Sequence, residues 1–327
     1  MKRSKIAWIV SCVFVLGAIL ALAFYIQNQK KLNAQKLAGL ATSTDAQTIT
    51  YKGKEYVPKK NIETYLFVGV DSDGKVKKVK EYGESGMADT LILLVRDLSA
   101  GTYQTLSLDR NTMTEIKCVD VDGSYIVTVV NQLSFAHAEG DGLELSCENT
   151  VDAVSNLLKG QKIDGYAVLN MSAIGVLNHE IGGVEVTIED DFSQVDPTME
   201  IGKTMVLDDT QAEYFVRGRM NVADGTNENR MKRQNVYLDA YRTKMKSRCV
   251  EDAEFPLQLY DALGEYMVTT ISAQKFSKLA MMTLNGKDQG SLHIEGKSKT
   301  GEMGYIEFTP DKDSLQEVII SLFYREK

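Results

Sequence analysis

Apolar positions follow three different rhythms along this chain, and each predicts a different kind of element. The first is an unbroken run: Ile6 to Ile26 is 21 residues without a charge, preceded by the basic Met1–Lys5 segment. A helix of that length crosses the ~30 Å hydrocarbon layer of a bilayer. The pattern therefore predicts a transmembrane anchor over residues 6–26, with residues 1–5 as a cytoplasmic tail. Ala21-Leu22-Ala23 also resembles a signal-peptidase site, but Phe24-Tyr25-Ile26 carries the apolar run past it. Both readings place the body outside the cytoplasm, and the anchor reading keeps it at the cell membrane. Residues 27–60 are polar and read as an extracytoplasmic stalk.

The second rhythm is short and continuous. Tyr65–Val70 is a continuous apolar run and Thr90–Val95 is a second after its first residue, the mark of strands covered on both faces; Tyr103–Leu108, with polar Gln104, Thr105 and Ser107 among its apolar positions, reads as a third strand. Glu115–Val130 alternates weakly around Asp122-Gly123 and reads as a hairpin. The third rhythm is helical: Asn149–Leu158, Met171–Leu177, Arg230–Met245, Leu257–Tyr266, Ala273–Leu284 and Lys312–Tyr324 carry it. Between them, Gly165–Leu169 and Val184–Ile188 read as strands. A helix over Thr210–Val216 has Asp208 at its start with Gln211 three residues on, a capping box, and Gly218 at its end. Strands covered on both faces and alternating with helices predict a layered α/β/α domain around a central mixed β-sheet, over residues 61–327.

Composition narrows the chemistry. The net charge is −8 and the pI near 5.1, which argues against nucleic acid as a partner, because phosphate neutralisation needs a basic face. Against that acidic background six of the ten arginines (Arg217, Arg219, Arg230, Arg233, Arg242 and Arg248) fall within 32 residues. Arginine grips phosphate or carboxylate at two points, so the cluster reads either as a solvated basic helix face or as an anion site. Two aspartates stand where a strand meets a loop, Asp71 and Asp89, and Arg110 follows a third apolar strand. Each alone suits a turn, a cap or a salt bridge. Together, at strand ends, they suit Mg²⁺ and phosphate. Cys118, Cys147 and Cys249 show no disulfide framework, and neither cysteine nor histidine has metal-type spacing. No P-loop, Gly-x-Ser-x-Gly or zinc motif occurs.

Leu66–Asp71, Ala88–Leu93, Ser107–Thr112, Ile163–Tyr166, Ile181–Val186, Leu207–Arg219 and Arg230–Gln234, in this order, resemble the LytR–CpsA–Psr family of membrane-anchored cell-wall glycopolymer ligases. The resemblance implies a Mg²⁺-dependent phosphotransferase. Such an enzyme takes a glycopolymer, such as a teichoic acid or capsule, from an undecaprenyl-pyrophosphate carrier. It joins the polymer to peptidoglycan, typically on N-acetylmuramic acid. It further implies that Asp71 and Asp89 hold Mg²⁺ and that Arg110, Arg217, Arg219, Arg230 and Gln234 bind the pyrophosphate. Arg110, Arg217 and Arg219 are the catalytic candidates, whereas Arg233, Arg242 and Arg248 read as surface charge. The chain departs from the family pattern at Met87, where arginine is common, at Asp109-Arg110-Asn111, where Pro-Arg-Asp is common, and at Asn227, where aspartate is usual. A polyprenyl-pyrophosphate hydrolase and a non-catalytic lipid-phosphate-binding protein are the alternative readings.

Overall fold

The computed structural model describes residues 48–80, 83–120, 123–218, 221–223 and 227–327. The expected anchor, most of the stalk and Arg219 lie outside the described residues. No helix among the described residues is long and apolar enough to cross a membrane.

The chain divides into two compact units, Met1–Pro58 with Arg325–Lys327, and Lys59–Tyr324. In the first, β1 (Ile49–Tyr51) and β2 (Lys54–Pro58) pair antiparallel across a two-residue turn. Lys52 and Gly53 both take positive φ there, 47° and 78°, the turn geometry that matches strand twist. The end of the segment expected as stalk is thus a hairpin, and the chain's last strand extends it to three strands.

In the second unit β3 (Ile62–Val70), β4 (Ala88–Asp97) and β5 (Thr102–Leu108) form an antiparallel meander. A separate hairpin follows, β6 (Met113–Val119) and β7 (Tyr125–Gln132), then α1 (Phe135–Ala138) and α2 (Glu144–Leu157). Next, β8 (Gly165–Asn170) returns parallel to β3. After it come α3 (Ala173–Glu180), the small β9–β10 pair (Glu185–Thr187 and Thr204–Val206), α4 (Asp209–Arg217) and α5 (Asn227–Glu251). The chain then adds α6 (Phe255–Leu263), β11 (Met267–Thr269), α7 (Ala273–Asn285) and β12 (Lys287–Leu292). The hairpin β13–β14 (Gly296–Thr300 and Ile306–Pro310) and α8 (Lys312–Phe323) complete it. The central sheet runs β11-β8-β3-β4-β5-β12. It is mixed: β3, β5, β8 and β12 share one direction, and β4 and β11 oppose it.

Strand side chains alternate between faces, and here each face has its own core. Leu66, Val68, Val70, Leu91, Leu93 and Leu106 pack with α2 and α8 through Val154, Leu157, Ile319 and Phe323. Tyr65, Leu94, Tyr103 and Ala167 pack on the other face with helices α3 to α7. The continuous apolar runs in the sequence are explained by this double burial. The two faces are not covered alike. Along β3 the first face stays buried to its end at Val70, whereas the second changes from buried Tyr65 to half-buried Phe67 and Gly69. On the same second face Thr90 and Ser107 are exposed.

The capping box at α4 forms as its spacing predicts. The Asp208 carboxylate accepts from the Gln211 backbone N–H at 2.8 Å, and Gln211 Oε1 accepts from the Asp208 N–H at 3.1 Å. An Asp208→Ala substitution is expected to lower stability by about 1 kcal/mol, the usual value of an N-cap. Urea denaturation checks this, and an unchanged midpoint would mean the cap contributes nothing to holding α4.

Candidate active site

Because β3 and β5 both oppose β4, the ends of β3 and β5 and the start of β4 meet at one edge of the sheet. Asp71, Asp89 and Arg110 are therefore brought together by topology. Asp89 occupies an irregularity in the ladder: Gly69 pairs with Thr90 and Val70 with Ala88, leaving Asp89 as the extra residue. Such a bulge re-aims a side chain that strict alternation would have sent elsewhere.

Asp71 is fixed by a strap. Its N–H donates to the Met87 carbonyl at 3.1 Å, and its Oδ1 accepts from the Met87 N–H at 2.5 Å. The preceding residue must be glycine. Gly86 has φ +77°, and a Cβ there would sit 2.9 Å from Asp71 Oδ1 and 2.8 Å from Val70 Cγ1. His137, only 3% exposed, donates from Nδ1 to the Gly86 carbonyl at 3.1 Å. Burial holds its pKa below the usual imidazole value, so the ring is neutral. It is a structural histidine, as its isolation in the sequence suggests.

The Arg110 guanidinium pairs through Nη1 with Asp89 Oδ1 and places Nη2 3.7 Å from the Met87 sulfur. Met87, where the family commonly carries arginine, thus lies against the Arg110 guanidinium. Asp109 turns away from the site, because its carboxylate accepts the Asn111 N–H at 2.8 Å and holds the local turn. Asp89 is held above the ordinary carboxylate pKa, chiefly by burial. The Arg110 charge opposes this, Asp71 adds to it, and Arg230 opposes it more weakly. Two carboxylates close enough to repel one another, with one Asp71 oxygen already fixed, suit a hard divalent cation. No group of three or more His, Cys, Asp or Glu side chains that could hold a metal occurs among the described residues. A cation here would draw its remaining ligands from phosphate oxygens and water, the habit of Mg²⁺.

The arginine cluster divides into parts with different work. Arg217 ends α4 and reaches back to the loop after β3, donating from Nη1 to Asp73 at 2.8 Å, with Glu213 at 3.7 Å. Arg230, on α5, is near enough to Asp89 to oppose the rise in its pKa. Arg233, expected as surface charge, is instead 5% exposed. It donates from Nε to the Phe215 carbonyl at 3.0 Å, bonds the Gly218 carbonyl and pairs with Asp190. Its guanidinium also lies 5.5 Å from the Phe192 ring centroid. Its neighbour Gln234 donates to the Val216 carbonyl at 3.2 Å. The unsatisfied carbonyls at the C-terminal end of α4 are thus held by α5, and Gln234 belongs to that clamp here. Gly218 is required by crowding: a Cβ would meet the Tyr214 carbonyl at 2.5 Å. Arg242 is exposed, as expected, and Arg248 packs on Phe255 at 4.8 Å.

Comparison with known proteins places this geometry. The family model described as the LytR_cpsA_psr family matches residues 23–322. The polyisoprenyl-teichoic acid–peptidoglycan teichoic acid transferase TagU of Enterococcus faecalis is 28% identical over 276 residues, 83% of this chain and 80% of the relative. TagV of Bacillus subtilis, with the same activity in its name, is 25% identical over 68% of this chain, which spans 48% of that relative. Among solved structures, TagT bound to LI-WTA shares the fold with a TM-score of 0.55 at 22% identity, covering 86% of this chain and 96% of that one.

Two predictions follow from the charges. The folded-state pKa of Asp89 is raised, so its contribution to stability is present below the ordinary carboxyl pKa of 3.8 and lost as pH rises through the raised value. Asp89→Asn is therefore expected to melt above wild type at pH 7, with the gap closing in acid. A lower melting temperature for the variant across the whole range would refute the assignment. Arg233→Ala leaves Asp190 half-sealed without its partner and is expected to cost about 3–5 kcal/mol. Arg242→Ala should stay within about 0.5 kcal/mol. Equal effects in denaturant melts would count against the clamp.

Proposed function

The chain belongs to the LytR_cpsA_psr family, and from that premise we propose that it transfers a glycopolymer from a polyprenyl-pyrophosphate carrier onto peptidoglycan. The observation that carries the reading is the meeting of Asp71, Asp89, Arg110, Arg217 and Arg230 at one end of the sheet. Their elements are far apart in sequence, and no helical nucleophile motif is among them.

In this reading the acceptor hydroxyl oxygen bonds to the phosphorus next to the polymer. The phosphoanhydride bond breaks, the lipid monophosphate leaves with the bridging oxygen, and the hydroxyl proton passes to the departing phosphate or to water. Phosphoryl transfer asks the protein for position and charge neutralisation more than for covalent chemistry. Arg110 supplies a fixed guanidinium anchored by Asp89. Arg217 supplies a movable one, because its exposed pair with Asp73 is worth only ~0–1 kcal/mol and yields readily to a phosphate. Arg230 adds charge from the α5 side. Arg219 belongs with this group by its place in the sequence. Asp71 and Asp89 would hold Mg²⁺, which when bound neutralises charge on the phosphate oxygens. The half-covered sheet face beside the site supports a lipid carrier. Phe67 on β3 and Leu169 on β8 are apolar side chains only partly buried on that face. The anchor over residues 6–26 would keep the enzyme at the membrane, N-terminus cytoplasmic and catalytic body outside.

The test is an assay of purified protein with lipid-linked polymer, peptidoglycan and Mg²⁺. Polymer on the glycan strand is expected, falling about 10²–10³-fold in Arg110→Ala and Arg217→Ala with the fold intact by circular dichroism. Lipid phosphate released without ligation would make the protein a hydrolase. Near wild-type transfer by either variant would overturn the site.

A further inference from the structure

The proposed chemistry leaves one half-buried carboxylate beside the arginines unused. Glu213 sits on α4 one turn before Arg217, with its Oε2 3.7 Å from Arg217 Nη1. Its side chain is 30% exposed, and α3 packs against it. A Cβ at Gly175 would stand 3.2 Å from Glu213 Oε1 and 3.5 Å from Asp209 Cβ, so a glycine on α3 gives this carboxylate its room. The other carboxylates near the site are committed. Asp71 Oδ1 accepts from the Met87 N–H, Asp89 is paired with Arg110, and Asp109 accepts from the Asn111 N–H. Asp73 is 66% exposed and meets Arg217 directly at 2.8 Å. Of these five, Glu213 alone combines partial burial with a loose partner. Burial raises its pKa above the ordinary carboxyl value, the Arg217 charge lowers it, and Asp73 and Asp209 raise it. Asp209 in turn faces His179 of α3 at 3.1 Å.

Arg217 and Glu213 project from one face of α4 a single turn apart, about 5.4 Å along the axis. A phosphate gripped by the first has its attacking hydroxyl within reach of the second. We infer that Glu213 is the general base of the transfer and takes the proton of the acceptor hydroxyl. This rests on the transferase reading above. As the acceptor oxygen bonds to phosphorus, its O–H bond breaks and the proton moves to a Glu213 oxygen. The electron pair of the broken phosphoanhydride bond leaves on the lipid phosphate. Glu213 then passes the proton to water or to the departing phosphate, which restores the carboxylate. Arg217 ties this base to the donor. While the guanidinium faces Glu213 it holds the basicity of the carboxylate down. When it turns to a donor phosphate that restraint weakens, and the phosphate charge acts in the same direction. A base whose pKa lies nearer the working pH is the more effective. Glu213 is thus strengthened only when the donor is in place.

The experiment follows transfer by the full chain across pH, with lipid-linked donor, peptidoglycan and saturating Mg²⁺. Glu213→Gln keeps the shape of the side chain and removes the base. Its kcat is expected to fall about 10²-fold or more, with the donor KM within about threefold of wild type and a melting temperature no lower. Wild-type kcat should drop roughly tenfold per pH unit in acid as Glu213 takes up a proton, and the residual rate of the variant should stay flat over that range. A kcat within about threefold of wild type, a loss confined to KM, or an acid fall retained in the variant overturns the assignment. Should Glu213→Gln melt lower, Glu213→Ala with and without added formate decides. Transfer regained with formate supports the base, since a structural role would not respond to a free carboxylate, and no recovery overturns it. If wild type transfers nothing, the transferase reading fails and the base falls with it.

Discussion

The structure turns on keeping two aspartates of like charge side by side at the end of a sheet, one of them largely buried. A carboxylate in that position is disfavoured by lost hydration and by its neighbour. The surrounding elements bear the compensation. β5 delivers Arg110 to Asp89, and α5 brings Arg230 within electrostatic reach. The Gly86-Met87 strap fixes Asp71 by two backbone bonds. Apart from the strap, which lies two residues before Asp89, these groups are remote from one another in sequence, so the arrangement exists only when the sheet, the strap and α5 are all in place. The imbalance that remains, with Asp89 still above its ordinary pKa, is what a bound cation would relieve under the proposed function.

Arginine does opposite work in two places. Arg233 is buried, carries two carbonyl bonds and an ion pair, and cannot leave without stranding Asp190. Arg217, two residues beyond the clamped Phe215 carbonyl, is held by Asp73 and, at longer range, by Glu213, in pairs that stay open to solvent. A buried charge pair is costly to break while an exposed one is nearly neutral. The same side chain thus serves as a fixed joint in one place and as an exchangeable hand in the other, and the joint orients the hand.

Much of this was legible in the sequence, for physical reasons that can be named. The strands β3, β4 and β8 advertise themselves by continuous apolar runs, and α4 by its capping box. Asp71, Asp89, Arg110 and Arg217 were readable as residues at element ends. What escaped was whatever depends on where a side chain points. Arg233 looked like its neighbours because burial of an arginine depends on Asp190 and on α4 carbonyls, none of which is periodic with it. Gln234 fits the phosphate pattern in sequence, yet its amide meets a helix end. The bulge at Asp89 leaves no mark in composition. The hairpin at β1 and β2 was hidden because its strands are short and polar, although Lys52-Gly53 hints at the turn.

The uneven covering of the sheet joins these observations. On the α2–α8 side β3 stays buried to its last residue, Val70. On the α3–α7 side coverage loosens toward Asp89, where Gly69 is half-buried and Thr90 and Ser107 are exposed. Under the proposed transfer the donor would bring a doubly charged head and a long apolar tail. In a protein of net charge −8, general attraction would not concentrate such an anion, since the long-range field repels it. Its recognition would then rest on short-range contacts with the arginines at the sheet edge and on apolar burial of the tail, a combination that would favour a phosphorylated lipid over a soluble phosphate.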